Sequence, residues 1–456
     1  MTGNPVRALC EFRYYGQGDE ISEDVLSRMD DALRTFHSHK HVILEAQARR
    51  GKNGPIDNWW IPKLEFLQSV VSSIRANGVP LQWSADITEH SHITFIKEPV
   101  SHTNNQRYEP QICRYLDRHD KVDLFDLATH IEGAGVELRD EDDLDESGDE
   151  EDDGPILVST TLTLLEHAQP PARLVGGSRR LVNYYTRAKR LLAGQIPKAP
   201  TPFRTFTSTQ ENVAIHLTRD PVGPQLSVDD ASKTFHLPDL RVALLAYIHR
   251  IRIGGDLPLG GRRPKKIQDK TLPFQNVQVW HRLRLQSRGY HNPVQVLEAH
   301  TVNASPPDAT WKFGRGDGVI VNTDPTIFGR GVVFKVRHTV GYLRMIMRAV
   351  PQGSDPPPGT AGFLAYVQRF DVVSRGDGPC LDPGTGMYRL KRARRADGTI
   401  MGDILPLDRL RAHVALPPRF GAEADRRLTK ENSMDISEQF WLNKFFTKEL
   451  FFALSQ

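Results

Sequence analysis

The sequence predicts an α+β protein. A helical N-terminal region leads through an acidic, disordered linker into a mixed region with a small antiparallel β-barrel or sandwich and a C-terminal docking helix. Three observations predict this. Apolar residues recur at helical spacing across residues 1–135. The tract RDEDDLDESGDEEDDG, residues 139–154, concentrates like charges that repel and resist packing. Short runs with a period of two, separated by Gly/Pro/Asp turns, fill residues 276–420.

In the first region Val25, Met29, Leu33 and Phe36 share a helical face behind Ser22, a residue suited to cap a helix N-terminus. IPKLEFLQSVVSSIRANG places Pro62 in a first turn, Leu64, Leu67, Val71 and Ile74 inward, and Gly78 as a stop. SADITEHSHITFIKEP reads as a short amphipathic helix closed by Pro99, and YEPQICRYLDRHDKVDLFDLATHI as one or two more helices. The linker occupies residues 136–157. Residues 158–275 are mixed. There SRRLVNYYTRAKRLLAG is a basic helix candidate, and SVDDASKTFHLPDLRVALLAYIHRI reads as two helices broken at Leu237-Pro238, with Ser227 and Asp230 set as a capping box. Apolar residues dominate the second of these helices, so it suits a core hairpin better than a major-groove reader.

The β-rich region, residues 276–420, opens with NVQVWHRLRLQ, which puts Val277, Val279, Leu283 and Leu285 on one face. GVIVN, GVVFKVRH, GYLRMIMRAV, GFLAYVQRFDVV and MYRLKRAR continue it. Residues 421–456 are expected to end in one helix, SEQFWLNKFFTKELFFAL, whose aromatic side chains suit docking on the core.

No apolar run approaches the roughly 18 residues a membrane span needs, so no membrane partner is expected. Cys10, Cys113 and Cys380 are too scattered to form a metal or redox pair. The net charge of +3 hides a division: 16 basic against 31 acidic residues through residue 154, and 43 basic against 25 acidic beyond it. A strongly basic body fits a polyanionic partner.

Glu89 shares one helical stripe with Ile93, Ile96 and Val100. A carboxylate on such a stripe calls for a cationic partner such as His92, or for a metal ion. His37 and His41 in FHSHKH stand four residues apart but have no evident third ligand, and His90, His92, Cys113 and His119 match no finger spacing.

Longer stretches carry a family resemblance. IDNWWIPKLEFLQSVVSSIRANGVPLQWSADITEHSHITFIKEP and NNQRYEPQICRYLDR resemble the C-terminal part of fungal Plavaka-type, CACTA-like transposases. LRVALLAYI, VQVWHRLRLQ, GYLRMIMRAV, LAYVQRFDVV, DPGTGMYRLKRARRADGT, LPPRFG and FWLNKFFTKELFFAL extend the likeness over nearly the whole chain, the C-terminal half resembling a domain without assigned activity. The resemblance implies that residues 1–135 are a helical remnant of an RNase H-like core. It implies a DDE constellation, in which two Asp and one Glu hold two Mg²⁺ ions that activate the nucleophile and stabilise the leaving oxygen. Glu89 is then the third carboxylate, catalytic and metal-ligating. The two Asp belong on strands upstream, and no β-type run precedes residue 80. The chain as given is therefore expected to lack autonomous catalysis and to need no cofactor, Mg²⁺ entering only with a complete core.

Two basic clusters are the expected DNA contacts: Arg262, Arg263, Lys265 and Lys266 in GRRPKK, and Arg389, Lys391, Arg392, Arg394 and Arg395 in RLKRARR. The same clusters suit nuclear import signals, and a nuclear location is expected. The reading is a transposase-derived fragment that binds DNA without sequence preference or supports a transposase core. The alternatives are part of an active DDE enzyme, if the upstream core is present, and a protein-interaction module.

Overall fold

The computed structural model of the chain describes residues 4–104, 106–132, 182–196, 199, 201–208, 212–218, 221, 225–252, 271–323, 338–351, 359–375, 378–379, 381–396, 398–421, 423 and 425–455. It divides into two compact units, residues 1–79 with 183–456, and residues 80–182. The helical region expected over residues 1–135 is thus shared between the two. The acidic tract lies outside the described residues.

The first unit begins with α1 (Pro5–Tyr15), α2 (Glu23–His39), α3 (His41–Glu45), a minimal hairpin of β1 (Arg50–Gly51) and β2 (Gly54–Pro55), α4 (Pro62–Phe66) and α5 (Val70–Asn77). Ser22 accepts from the Val25 amide at 3.4 Å, the expected cap. Met29, Leu33, Val71 and Ile74 close on Phe12 as a small core, and Phe36 is buried with its ring edge-on to Trp59. Gly78 ends α5 at φ +84, a conformation glycine adopts without a Cβ penalty.

The second unit contains α6 (Pro80–Trp83), α7 (Asp86–His92), a wide π turn over Ile93–Lys97, α8 (Glu98–Ser101) and α9 (Tyr108–Glu132). Pro99 does not close a helix. It sits in the first turn of α8, where its missing N–H leaves nothing unsatisfied, and it is buried. The segment read as one or two helices is the single helix α9, whose Tyr115 stacks on His102 with ring centroids 4.9 Å apart.

The first unit resumes with α10 (Tyr184–Leu192), β3 (Thr205–Thr207), β4 (Val213–Leu217), β5 (Leu226–Ser227), α11 (Val228–Thr234) and α12 (Leu240–Arg252). Then come β6 (Asn276–Trp280), β7 (Arg282–Ser287), β8 (His300–Ser305), β9 (Arg315–Asn322), β10 (His338–Ala349) and β11 (Leu364–Val372). The last elements are β12 (Ser374–Arg375), β13 (Gly378–Pro379), β14 (Tyr388–Arg392), β15 (Gly402–Pro406), β16 (Leu410–Val414), α13 (Ser433–Ile436), β17 (Gln439–Leu442) and α14 (Lys448–Leu454). GVVFKVRH falls outside the described residues except for His338.

The fold is α+β with one large antiparallel sheet. Among the described residues thirteen strands connect, with the main path running β17-β14-β11-β10-β9-β8-β7-β4-β3, and β15, β16, β6 and β5 branching from it. Of the expected small barrel or sandwich, the barrel is corrected. β9, β10 and β11 are long enough to pair with three neighbours each along different stretches, so the sheet branches instead of closing. β-Bulges mark two of these bends, between Leu343 and Met345 and between Leu410 and Ala412. Each inserts one arginine, Arg344 or Arg411, and a bulge re-aims the side chain it adds.

NVQVWHRLRLQ breaks at His281 into two strands. Val277 and Val279 pack on Phe235, Leu240, Leu244 and Tyr247 of the helical hairpin, as the apolar face of α12 foretold. Leu283 and Leu285 turn to a second core with Val213, Ile215, Leu217 and Val302. Ser227 caps α11, its hydroxyl accepting from the Asp230 amide at 3.0 Å and donating to the Asp230 carboxylate at 2.7 Å.

The single C-terminal helix expected over residues 421–456 is also corrected. Gln439–Leu442 form a strand on β14, Phe440 opposite Leu390, and Lys448–Leu454 carry the docking helix. Phe440 and Leu442 are buried and alternate with Trp441, so an open strand edge outweighs helical spacing. α1 packs at this end of the chain. Tyr14 stacks on Phe451 at 5.0 Å and donates its hydroxyl to the Phe445 carbonyl at 2.7 Å. Lys444, 4 % exposed, lies 3.7 Å from Glu11, and Lys448 pairs with Asp19 at 2.8 Å.

Candidate nucleic-acid interface

Glu89 lies on α7 with its side chain exposed, beside a depression of about 270 Å³ lined by Thr88, Glu89, His92, Ile93 and Lys97. Ile93 and Ile96 are exposed as well, so the stripe that suggested a buried carboxylate faces solvent. Among the described residues no group of three or more His, Cys, Asp or Glu is placed to hold a metal ion. Arg262, Arg263, Lys265 and Lys266 lie outside the described residues.

The 389–395 cluster is described, and most of its charge is engaged within the fold. Leu390 and Arg392 point inward from β14, while Arg389 and Lys391 point outward. Arg392 is 2 % exposed, its guanidinium lying over the Phe370 and Phe440 rings and donating to the Met434 carbonyl. As a phosphate contact Arg392 is therefore corrected to a core residue. Arg394 pairs with Glu438, and Arg395 with Asp239 at 2.6 Å. Lys391 is exposed and Arg389 half-buried.

A second basic surface forms where α10 lies on the outer face of β3, β4 and β7. The Asn183 side chain caps α10, accepting from the Tyr185 and Thr186 amides at 3.1 Å. Tyr184, Tyr185, Ala188 and Leu191 form its buried face, and Lys189 and Arg190 stay exposed. The alternation RLRLQSR does the same for β7. Leu283 and Leu285 enter the core, and Arg282, Arg284, Gln286 and Arg288 occupy the other face. Gln286 joins the two elements. It is fully buried, accepts from the Tyr184 amide at 2.8 Å and donates to the Leu297 carbonyl at 2.9 Å.

Strand register aligns Thr205, His216, Arg284 and Thr301 across β3, β4, β7 and β8, directly opposite one another and so on one face. Thr205 Oγ1 and His216 Nδ1 are 2.8 Å apart, Tyr184 stacks on the His216 ring at 4.7 Å, and Arg284 donates to the Tyr184 hydroxyl at 3.1 Å. Burial, reinforced by the charges of Arg187, Arg204 and Arg284, pushes the His216 pKa down to about 3. The imidazole is therefore neutral amid three guanidinium groups. Burial pushes the Tyr185 hydroxyl up to about 12, with Arg288 and Arg411 opposing the shift. Arg288 stacks on the Tyr185 ring at 4.6 Å.

The sequence marked the α10 segment as basic and the β7 run as alternating. The meeting of Arg187, Arg204 and Arg284 depends on strand register across nearly a hundred residues, and no local pattern announces it.

Residues 185–388 match the model of a family described as a domain of unknown function, DUF6830. The match takes in α10 from its second residue and all of β3, β4 and β7. No curated protein and no solved structure matches the chain.

Proposed function

We propose that the chain is a transposase-derived C-terminal region, similar to Plavaka-type proteins, that binds DNA without sequence preference and supports a transposase core. It performs no strand chemistry alone. The outer face of β7 carries the DNA reading. Arg282 is its exposed cation, Arg284 and Arg288 are half-buried beneath Tyr184 and Tyr185, and Lys189 and Arg190 on α10 add two more exposed cations. Cations fixed on a rigid sheet neutralise phosphates and release counterions, giving affinity that falls with salt and ignores base sequence. The buried rings of Tyr184 and Tyr185 offer no stacking platform, which favours backbone contact over base contact.

The test is anisotropy titration of the full chain with two unrelated 20-base-pair duplexes between about 50 and 300 mM KCl. The expected result is equal affinity for both and a linear fall of log K with log salt, of slope about −0.9 per phosphate neutralised. A strong preference for one duplex, or affinity indifferent to salt, overturns the reading. In this reading Glu89 contributes to Mg²⁺-dependent strand transfer only alongside two further carboxylates from a longer product, and the chain resides in the nucleus with its DNA.

A second reading, protein docking by residues 80–132, is favoured by the exposure of Leu81, Val122, Leu124 and Phe125. Its measure is concentration-dependent mass in solution that Leu124→Glu with Phe125→Glu abolishes.

A further inference from the structure

We propose that Trp60 and the basic hairpin beside it form a second nucleic-acid site. It takes single-stranded DNA, stacking an unpaired base on the Trp60 indole while Arg50, Lys52 and Lys63 hold the flanking phosphates. The site does not rest on the duplex reading of β7 and α10; only the choice of DNA over RNA does.

The backbone fixes how the ring is presented. Trp59 and Trp60 are neighbours with opposite fates. Trp59 is half-buried, edge-on to Phe36 at 5.7 Å. Trp60 is 88 % exposed, and no other large apolar side chain among the described residues is as bare. Its backbone is nevertheless held. The Asn58 side chain accepts from the Trp60 amide at 3.2 Å, and Pro62 opens α4 two residues on. A Trp side chain has only two rotatable χ angles, so ordering it on a ligand costs little entropy. Phe66, at the end of α4 and 70 % exposed, offers a second ring.

The cations stand on the same stretch. In the hairpin Arg50 lies opposite Pro55 and Gly51 opposite Gly54, which leaves Lys52 in the turn. The foot of the hairpin is tied to the segment that carries Trp60. The Ile56 amide donates to the Arg49 carbonyl at 2.8 Å, and the Arg49 guanidinium donates to the Asn58 carbonyl and lies over the Trp59 ring at 5.4 Å. Lys63 follows in the first turn of α4. Arg50, Lys52 and Lys63 are exposed, and among the described residues none of them meets a carboxylate. Arg394 and Arg395 differ, being matched by Glu438 and Asp239. The two acids of residues 46–66, Asp57 and Glu65, accept instead from the side-chain amides of Asn58 and Gln68.

This combination selects the occupant. Unmatched cations around a bare indole suit a ligand that is anionic and aromatic at once, which an unpaired strand is. Duplex DNA away from its ends keeps its base faces covered and gives the ring nothing to stack on.

The experiment uses the full chain and fluorescein-labelled strands of about 20 nucleotides at about 100 mM KCl: oligo(dT), an abasic strand with the same phosphates, oligo(U) and a blunt duplex. Anisotropy is read for the wild type, Trp60→Ala, Arg50→Gln with Lys52→Gln, and the control Lys312→Gln. The site predicts that oligo(dT) binds more tightly than the abasic strand. It predicts at least about a fivefold loss of oligo(dT) affinity in Trp60→Ala, with abasic and duplex affinity unchanged. The Arg50 and Lys52 double variant loses affinity for both single strands, and the control loses none. All these side chains are exposed, so the variants leave the packing alone. Equal binding of oligo(dT) and the abasic strand by the wild type, or unchanged oligo(dT) affinity in Trp60→Ala, overturns the site. Tighter binding of oligo(U) than of oligo(dT), lost in Trp60→Ala, upholds the site and overturns its assignment to DNA. Concentration-dependent mass that Trp60→Ala abolishes, with strand affinity unmoved, gives the ring to a second copy of the chain and overturns the proposal. Oligo(dT) bound through Trp60 with no duplex binding by any form upholds this site while the duplex reading fails.

Discussion

Arg392 and Arg395 are three residues apart and spend their charge differently. Arg392 runs into the core over two phenylalanine rings, and Arg395 stays near the surface but meets Asp239. Truncating Arg392 to Ala leaves a cavity between Phe370 and Phe440 and frees the Met434 carbonyl. The expected cost is about 2–4 kcal/mol in urea unfolding, with unchanged DNA affinity per folded molecule. His216 gives a pH signature. Its folded pKa of about 3 lies below the ordinary value near 6.5, so between these limits the unfolded chain takes up a proton that the folded chain refuses. Stability is therefore full above pH ~6.5 and falls by about 1.4 kcal/mol per pH unit below it, until the folded imidazole itself titrates. The difference between wild type and His216→Gln, followed by urea midpoints from pH 7 to pH 4, isolates that slope from the carboxylates that titrate alongside.

Among the elements, α10 is the one to disable for DNA binding. Lys189 and Arg190 are exposed on the face away from Tyr184, Tyr185, Ala188 and Leu191, so reversing them leaves the packing alone. Lys189→Glu with Arg190→Glu is expected to lower duplex affinity at least tenfold near 100 mM salt with an unchanged circular dichroism spectrum. β15 shows a tighter constraint. A Cβ at Gly402 would collide with the Tyr366 ring, whose hydroxyl donates to Asp239. Gly402→Ala is expected to lose about 1–3 kcal/mol by overpacking, read as a fall in Tm. The elements legible in the sequence are those whose signal is local. Ser22, Ser227 and Gly78 announce helix ends by their own chemistry, and Val277, Val279, Leu283 and Leu285 announce a buried strand face by alternation. The strand at Gln439–Leu442 was not legible, because its conformation is decided by the open edge of β14. The fate of the 389–395 charges was hidden for a similar reason: their partners, Asp239 and Glu438, lie far away in sequence. The stripe through Glu89 is genuine as a pattern, but helical spacing says which residues share a side and not whether anything covers it.

In the molecule as a whole, the family match over residues 185–388 describes less than the unit that folds. α1 and α2 belong to the same compact unit as the sheet, and α1 covers Phe451 and Lys444. A chain starting at residue 183 would expose the Phe451 ring and leave Lys444, low in pKa through burial, without Glu11. Removing a buried charge's partner costs about 3–5 kcal/mol, so this shortened chain is expected to melt well below the full one in calorimetry. A chain lacking only residues 80–182, with a flexible join, keeps both contributing segments of the unit and is expected to retain most of that stability.

The pairing of Tyr14 with Phe445 spans 431 residues of chain. At roughly 5–20 residues per second of synthesis, about 20–90 s separate the appearance of one partner from that of the other. Throughout that interval α1 leaves the ribosome with Tyr14 uncovered, while the segment that will hold it is still being decoded. Completion of this unit is thus tied to the translation of residues 445–451. A ribosome stalled before residue 445 would hold a chain whose first helix is packed on α2 but still lacks Phe445 and Phe451.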